Sequence, residues 1–558
     1  MNPTGIKHSI LAVILSLTSI LSAGTLSKDL QNATAAMDVI VQFTSAPTTT
    51  TMGTVTKPGG FLKKKFVKVP AASFSLTPAA IAALLSNPNV RYASADRKVQ
   101  GTLEFAQPTT KANLALAAGY NGTSIGVAVI DSGINAATDL SATSRSTSRL
   151  VYSESFIPND LSTADAYGHG THVAGIIGGN GANSTTNAIY TFKGIAPNVN
   201  IINLRVLDAT GAGTDSAIIA AIEKAIALKT TYNIRVINLS LGRQVFESYT
   251  LDPLCQAVEK AWQAGIVVVV AAGNNGRDNS MGTKGYATIA SPGNDPLAIT
   301  VGAMKDEGTA DRSDDLMASY SSKGPSLIDH VVKPDLVAPG NKIIAAFAAN
   351  SAIETKYPTN VVPVSYYKST NGTQTSSTYF TLSGTSMAAP MVSGAAALLL
   401  QKDTTLSPDT VKARLMKSAS KTFPTSSSVT DTTTGVVYTT YYDLFTVGAG
   451  YLDVWEALNN QDTLPAGYSA KSQTVTYNAT TNITSVVNGT SVVWGVNVVW
   501  GENVVWGSNV VWGDNVVWGS NVVWGDSTAV GFNVVWGQNV VWGDSQPYSE
   551  ALSVMGEK

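Results

Sequence analysis

Between residues 105 and 460, short apolar runs alternate with helical patterns, and this alternation constrains the fold more than any other feature. The apolar runs are typical of buried strands: Ser124–Ile130, Val199–Leu207, Ile234–Leu241, Ile266–Ala271 and Leu297–Val301. Helical patterns lie between several of them, notably Asp215–Leu228 and Pro253–Ala264. Strands separated by helices predict an α/β fold, with a mostly parallel central sheet flanked by helices. In such sheets, ligand chemistry lies at the carboxyl ends of the strands.

Residues 36–102 indicate a smaller α+β unit ahead of this domain. Short strands are predicted at Asp38–Phe43, Phe61–Val69 and Val90–Ala95, with a helix over Ala79–Leu85 that Thr77-Pro78 opens. About 65 residues fold only marginally alone. A weak, separable unit at this position favours a propeptide, and a permanent accessory domain is the alternative.

The first 24 residues have the layout of a secretory signal peptide. Lys7 and His8 precede the apolar stretch Ile10–Leu21, and small residues follow it. The stretch is short for a membrane span, which needs about 20 residues. We therefore expect a secreted, extracellular protein without a membrane span, which could also associate with the cell surface. A buried N-terminal helix is the alternative.

Charge and cysteine content exclude several classes of function. Charged residues make up 13% of the chain and the net charge is −2, so nucleic acid is not an expected partner. Cys255 is the single cysteine, so no intrachain disulfide forms. It lies in a helical pattern, where we expect it to act as a small buried hydrophobic residue.

The C-terminal part of the chain differs in composition from the rest. Residues 462–490 are rich in Thr, Ser and Asn and are predicted to be a linker. Residues 491–544 repeat the hexapeptide Asn-Val-Val-Trp-Gly-x. In an extended chain this even period places every Trp on one face, which would suit a β-solenoid or stacked hairpins. We expect a β-prone tail with a structural or surface-association role rather than a specific ligand site.

Two motifs carry candidate catalytic groups at strand ends or helix starts. The strand Val127–Ile130 runs into Asp131, although an ordinary turn aspartate is an open alternative for that residue alone. Gly168–Gly175 holds two of the four histidines of the chain. We predict that His169, between two glycines, is a general base, and that His172 packs within the helix. A zinc pair is disfavoured, because no glutamate lies between them and no cysteine is nearby.

The segment Gly384–Pro390 is the most specific motif. It precedes Met391–Leu400, which is apolar on every side and predicts a central buried helix. Ser386 at its N-terminus would lie where free N–H groups favour developing negative charge. A serine N-cap is the alternative, but it does not account for the surrounding small residues. Asn274 follows another buried strand, and its amide could donate a hydrogen bond to an oxyanion.

These segments resemble the signatures of the subtilisin family (the subtilases), in the family order of aspartate, histidine and serine. The resemblance runs from about Asn121 to Leu458 and implies a subtilisin-like serine endopeptidase that acts through an acyl-enzyme. It implies that Asp131 orients the imidazole, His169 is the base, Ser386 is the nucleophile, and Asn274 with the Ser386 N–H binds the oxyanion.

The resemblance also implies how polypeptide substrates bind. One edge of the cleft would be Ser240, Leu241 and Gly242, the opposing edge Gly211, Ala212 and Gly213, and a wall of the S1 pocket Ala271, Ala272 and Gly273. These small residues suggest a roomy, largely apolar cleft. No cofactor is expected for the chemistry, while calcium is a structural ion of the family and Asp139 resembles one of its ligands.

The family further implies that residues 36–102 inhibit the enzyme in cis and are removed by self-processing near Arg97–Thr102. Two alternatives remain open at this point. The same fold could catalyse transpeptidation or ester hydrolysis, because an acyl-enzyme accepts any suitable nucleophile. A protein of another class, acting in surface assembly or adhesion, would use the Trp-Gly repeats instead.

Overall fold

The structure is a computed structural model that describes most of the chain before residue 479 and parts of the rest. The described residues are 24–464, except 28–29, 32, 67–69, 96–102, 142–147, 370–376 and 432–433, then 469–478, 483–486, five short strands between 498 and 523, and residue 557. The predicted signal peptide, apart from residue 24, and the side chains of the Trp-Gly repeats lie outside them. Among the described residues, no helix is both long and apolar enough to cross a bilayer.

The chain divides into two compact units, residues 1–100 and 101–558. The first unit has a five-stranded sheet in the order β1-β5-β2-β4-β3, with its own apolar core. Only the β1–β5 pair is parallel. The predicted cap is present, because Thr77 Oγ1 accepts a hydrogen bond from the Ala80 N–H at 3.3 Å. Its elements are β1 Thr25–Leu26, β2 Met37–Phe43, α1 Thr49–Thr56, β3 Gly60–Lys65, β4 Ala71–Leu76, α2 Pro78–Ala83 and β5 Val90–Ala95.

The second unit has an eight-stranded sheet at its centre. The helices and strands before residue 350 are α3 Leu103–Thr109, α4 Ala112–Ala117, β6 Gly126–Asp131, β7 Leu150–Ser155, α5 His169–Gly178, β8 Asn200–Arg205, α6 Asp215–Tyr232, β9 Ile234–Leu239, α7 Pro253–Gln263, β10 Val267–Ala271, β11 Ile299–Lys305, β12 Leu316–Met317, β13 Leu336–Pro339 and β14 Ile343–Ala346. After residue 350 come α8 Ala352–Lys356, α9 Val364–Tyr367, β15 Tyr379–Leu382, α10 Thr385–Lys402, α11 Pro408–Ser418, β16 Ser426–Thr430, β17 Val437–Tyr441, α12 Leu444–Val447 and α13 Val454–Asn459.

The strand order is β12-β11-β10-β9-β6-β8-β7, and β13 also pairs with β11. All of these pairs are parallel except β11–β12. Every residue of β6, β10 and β11 is buried, which requires cover on both faces of the sheet. The predicted mostly parallel α/β sheet is therefore confirmed. The strands brought together include β6, which ends at Asp131, and β10, which ends three residues before Asn274.

Helix α10 lies at the centre of this unit, as its uniformly apolar sequence predicts. It packs against α5 and against β9, β10, β11 and β13. Apart from Ser386 and its last two residues, every residue of the helix is buried. The core therefore holds the helix in place, and Ser386 is the partly exposed residue of its first turn.

Part of the segment after residue 460 forms hydrogen bonds with the core of the second unit. Ser472, within the predicted linker, donates a hydrogen bond to Asp335 Oδ1 at 2.5 Å and accepts one from the Lys412 ammonium at 2.9 Å. Further on, β18 Val475–Asn478, β19 Ile483–Val486, β20 Val498–Trp500, β21 Val504–Trp506, β22 Asn509–Trp512, β23 Val516–Gly519 and β24 Val522–Val523 are short strands. Strands β20 to β23 pair in sequence order, all antiparallel.

Candidate active site

Asp131 and His169 meet at the carboxyl end of β6, where the α/β rule places ligand chemistry. Asp131 Oδ1 lies 2.8 Å from His169 Nδ1 and also accepts a hydrogen bond from the Ser132 N–H at 2.7 Å. The carboxylate is 1% exposed and the imidazole 15% exposed. The carboxylate therefore accepts a hydrogen bond from the Nδ1–H group, and Nε2 is left able to take up a proton.

The turn before His169 is held by a second buried carboxylate that the sequence reasoning missed. Asp165 Oδ1 accepts hydrogen bonds from the Ser132 hydroxyl at 2.8 Å and the Gly168 N–H at 2.7 Å. Its Oδ2 accepts from the Thr171 N–H at 2.8 Å. Burial raises the pKa of Asp165 despite these hydrogen bonds. Asp165 lies three residues before Gly168, the N-cap of α5, so no capping pattern in the sequence pointed to it.

The two histidines of this helix have opposite electrostatic environments. Burial disfavours the charged form of His169, but the charge and hydrogen bond of Asp131, with Asp165 adding to them, raise its pKa above the ordinary value. Burial lowers the pKa of His172 to about 3, and its Nε2 lies 3.0 Å from the carbonyl oxygen of Phe380. His172 is therefore neutral and packed in the helix, as predicted.

These shifts make a prediction about pH. A general base acts only when neutral, so kcat/KM should fall as the pH falls through the raised pKa of His169. We expect the acid limb of the profile to have its midpoint above 6.5, the ordinary histidine pKa. Asp165→Asn should move that midpoint down, because it removes one of the charges that raise it. A wild-type midpoint at or below 6.5 would contradict the assignment.

Ser386 lies at the start of α10 and is tied to the strand end that carries Ser240. The Ser386 hydroxyl donates to the Ser240 carbonyl at 3.1 Å, and the Ser240 hydroxyl donates to the Ser386 carbonyl at 2.8 Å. In this conformation the hydroxyl is therefore bonded to a backbone oxygen, and the two described side chains of Ser386 and His169 share no hydrogen bond. Such contacts often form only when substrate binds.

Asn274 follows β10 and is oriented by the residue before Ser386. Its Oδ1 accepts hydrogen bonds from the Thr385 N–H at 2.9 Å and from the Thr385 hydroxyl at 3.1 Å. Because a backbone N–H requires an acceptor, these contacts determine which end of the amide is oxygen. Gly384 has φ of +142°, and a Cβ there would lie 3.3 Å from Asn274 Nδ2. The glycine therefore leaves the amide donor accessible.

A groove of ≈ 440 Å³ contains His169, Ser386 and Asn274 among its lining residues. Both predicted substrate edges line the same groove, namely Ser240, Leu241 and Gly242 on one side and Gly211, Ala212 and Gly213 on the other. The residues of the predicted S1 wall, Ala271, Ala272 and Gly273, are not among its lining residues. Ala272 is fully buried, and the Gly273 N–H donates to the Thr385 hydroxyl at 3.1 Å.

One end of the groove carries an ion pair. Arg243 and Asp215 both line it, with the Arg243 Nε 2.8 Å from Asp215 Oδ2. Arg243 also contacts the fully buried Asp252 at 2.9 Å. Burial opposes the charged guanidinium, but Asp252, Asp215 and Glu247 outweigh it and raise its pKa. This ion pair was not expected from the sequence, because Asp215 and Arg243 are far apart in the chain and meet only in the fold.

Asp139, the expected calcium ligand, has both carboxylate oxygens engaged by protein donors. Oδ1 accepts from the Asn183 N–H at 2.8 Å and Oδ2 from the Tyr379 hydroxyl at 2.6 Å. Tyr379 belongs to a strand that sequence analysis did not connect with this loop. A calcium ion needs six to eight oxygen ligands, so these contacts compete directly with it.

The Arg149 guanidinium lies among four backbone carbonyl oxygens near Asp139. Arg149 donates to the carbonyl oxygens of Asp139 at 2.7 Å, Gly178 at 2.6 Å, Val199 at 3.0 Å and Ser141 at 3.2 Å. Burial lowers its pKa to about 10, with Asp139 opposing, so the group is charged at neutral pH. The residues around Asp139 therefore do not fit calcium, because a side-chain cation already takes the oxygens.

Cys255 is buried in α7, as predicted. Its Sγ lies 3.4 Å from Asn294 Oδ1, and burial raises the pKa of the thiol. A neutral, inaccessible thiol is a packing group rather than a nucleophile.

Comparison with known proteins relates most of the second unit to one family. Residues 122–450 match the family described as the Subtilase family. Serine protease AprX of Bacillus subtilis (strain 168) is 37% identical over 372 residues, which cover 64% of this chain and 76% of that protein. Subtilisin DY of Bacillus licheniformis is 36% identical over 319 residues, which cover 57% of this chain and 92% of that protein. The crystal structure of a cold adapted subtilisin-like serine proteinase is 30% identical, covers 54% of this chain and 84% of that one, and has a TM-score of 0.38.

Proposed function

Because this chain belongs to the subtilase family and is a serine endopeptidase, we propose that it hydrolyses peptide bonds with Asp131, His169 and Ser386 through an acyl-enzyme. The observation that carries the assignment is the 2.8 Å contact between Asp131 Oδ1 and His169 Nδ1, in a groove that also contains Ser386. Polypeptides are the proposed substrates, and the chemistry needs no cofactor.

In the proposed mechanism, substrate binding displaces the Ser386 hydroxyl from the Ser240 carbonyl. The hydroxyl then gives its proton to His169 Nε2 and attacks the scissile carbonyl carbon. Asn274 Nδ2 and the Ser386 N–H donate hydrogen bonds to the oxyanion. His169 next transfers the proton to the leaving amine. A water molecule then gives a proton to His169 and attacks the acyl-enzyme carbonyl carbon. The ester bond to Ser386 breaks, His169 returns the proton to the Ser386 oxygen, and the second product leaves.

The two edges of the groove are proposed to bind the substrate backbone. Ser240–Gly242 on one side and Gly211–Gly213 on the other would flank an extended peptide, as strands flank a neighbour in a sheet. Gly211 has φ of +82°, and a Cβ there would lie 2.6 Å from the Tyr167 ring. A side chain at position 211 would therefore displace Tyr167, which also lines the groove.

We also propose that the enzyme is secreted as a precursor, whose residues 36–102 inhibit it until self-processing removes them. Support comes from the N-terminal sequence pattern and from the separate compact unit that residues 1–100 form. The expected cleavage segment, residues 97–102, lies outside the described residues.

His169→Ala should block this maturation, because self-processing needs the general base. We expect the wild-type protein from culture supernatant to have lost residues 36–102, and the variant to retain them, as measured by intact-mass and N-terminal analysis. His172→Gln serves as the matched control on the same helix, and soluble protein of that variant should still mature. Normal maturation of His169→Ala would assign the base elsewhere.

A further inference from the structure

Glu557, the penultimate residue, is buried in the second unit although it follows the long repeat segment. Its side chain is fully buried, and the residue as a whole is 2% exposed. Burial of a carboxylate is costly unless charged or polar donors replace its water shell. Its surroundings must therefore provide those donors.

Arg277 provides the charge that pairs with this carboxylate. Its Nη2 lies 2.7 Å from Glu557 Oε1 and its Nη1 lies 2.8 Å from Asp431 Oδ2. Its Nε donates to the Ser319 hydroxyl at 2.6 Å, and the guanidinium stacks on the Tyr438 ring at 4.4 Å. The side chain is only 10% exposed. Every guanidinium nitrogen thus has a partner, and these contacts hold the forked guanidinium group in one orientation.

Two further residues complete a site that recognises both the side chain and the backbone of Glu557. The Ser319 N–H donates to Oε1 at 3.1 Å and to Oε2 at 3.2 Å, and the Ser319 hydroxyl also contacts Oε1. The Asn341 side chain accepts from the Glu557 N–H at 2.8 Å and donates to its carbonyl at 3.2 Å. Together, Arg277, Ser319 and Asn341 form what we call the carboxylate pocket.

We propose that the carboxylate pocket is a peptide-binding site of the second unit, with Glu557 of the same chain as its occupant. The charged fork and paired N–H contacts suit a carboxylate, and the amide pairing of Asn341 suits an extended peptide backbone. The chain that continues beyond the peptidase unit therefore returns to it at Glu557. This inference goes beyond the proposed peptidase function and does not depend on turnover.

The pocket joins three segments that support the catalytic groups. Arg277 lies three residues after Asn274 in the same loop. The Gly276 N–H donates to the carbonyl of Tyr320, the residue after Ser319, at 2.8 Å. Gly340, which precedes Asn341, accepts from the Gly384 N–H at 2.8 Å. The carboxylate pocket therefore connects the loop of the oxyanion donor with the segment that leads into α10.

A peptide-binding experiment tests this inference on the full-length chain with Ser386→Ala, which prevents self-digestion. In that background Glu557→Ala empties the pocket. A labelled peptide covering Ser553–Lys558 should then bind, whereas the same peptide with Gln in place of Glu557 should bind about 10- to 100-fold more weakly. Neither peptide should bind when Glu557 is present. Equal affinity of the two peptides for the Glu557→Ala protein would overturn the proposal.

Thermal unfolding gives a second measurement with a matched control. At one fixed scan rate, Glu557→Gln should lower the apparent Tm by about 2–5 °C. Glu223→Gln makes the same charge change at an exposed position of α6 and should leave Tm within about 1 °C. Equal shifts of the two variants would overturn the role of Glu557 as occupant. Because the background is inactive, failure of the proposed peptidase function would leave both measurements unaffected.

Discussion

Replacing Ser386 with alanine should lower kcat for peptide hydrolysis by about 10⁶-fold, the loss known for the nucleophile of subtilisin itself. Without the hydroxyl no acyl-enzyme forms, and the remaining rate depends on substrate binding and oxyanion donors alone. The fold should persist, because Ser386 is the one half-exposed residue in the first turns of an otherwise buried helix. Kinetics with a chromogenic peptide and labelling by a fluorophosphonate measure the two consequences separately.

Ser393→Ala is the matched control for this variant. Ser393 lies two turns further along α10, is fully buried, and donates to Asn238 Oδ1 at 2.8 Å. Its loss leaves one polar atom without a donor, which costs about 1–3 kcal/mol of stability. Fluorophosphonate labelling and kcat should remain near the wild-type values. Labelling of the Ser386→Ala protein, or its absence in Ser393→Ala that has folded, would remove Ser386 from its proposed role.

Asn274→Ala should lower kcat by about 10²- to 10³-fold, with little change in KM. This magnitude is that of the corresponding donor in subtilisin, and it is transferred here to Asn274. The structural reason is the pair of hydrogen bonds from Thr385 to Oδ1, which leave Nδ2 as a preorganised donor beside Ser386. A donor used mainly in the transition state affects kcat and kcat/KM alike.

The neighbouring asparagine provides the control. The Asn275 residue is exposed, and its backbone N–H donates to the Ser322 hydroxyl at 3.1 Å, a contact that alanine would keep. Asn275→Ala should therefore retain kcat within about twofold. A kcat of Asn274→Ala close to that of Asn275→Ala would show that this amide does not stabilise the oxyanion. A raised KM with unchanged kcat would instead show that Asn274 stabilises the bound substrate and the transition state equally.

Much of the fold could be predicted because the local signals agreed with one another. The run Ile266–Ala271 is β-branched and apolar, and β10 occupies Val267–Ala271. The helical pattern at Pro253–Ala264 matches α7, which begins at Pro253 with Asp252 as its cap. In the Gly168–Gly175 motif, the position of His169 between two glycines separated it from His172, and the environments of the two histidines differ in the expected direction.

Other features depend on residues that are distant in the sequence. Nothing in the sequence marked Arg149, yet the fold surrounds it with four carbonyl oxygens in the expected calcium region. Arg243 and Asp215 are 28 positions apart and form an ion pair in the groove. Glu557 and Arg277 are separated by 280 positions. No periodicity or motif relates such pairs, because their contact is set by strand order rather than by local spacing.

The sequence by itself determined which chemistry is available and which segments are buried, since hydrophobic period and turn residues act over a few neighbours. Only the tertiary structure decided which oxygen each cation binds, how the amide of Asn274 is turned, and which groups surround Glu557. Those outcomes follow from desolvation: a buried polar group must find a partner wherever packing brings one, however far away it lies along the chain.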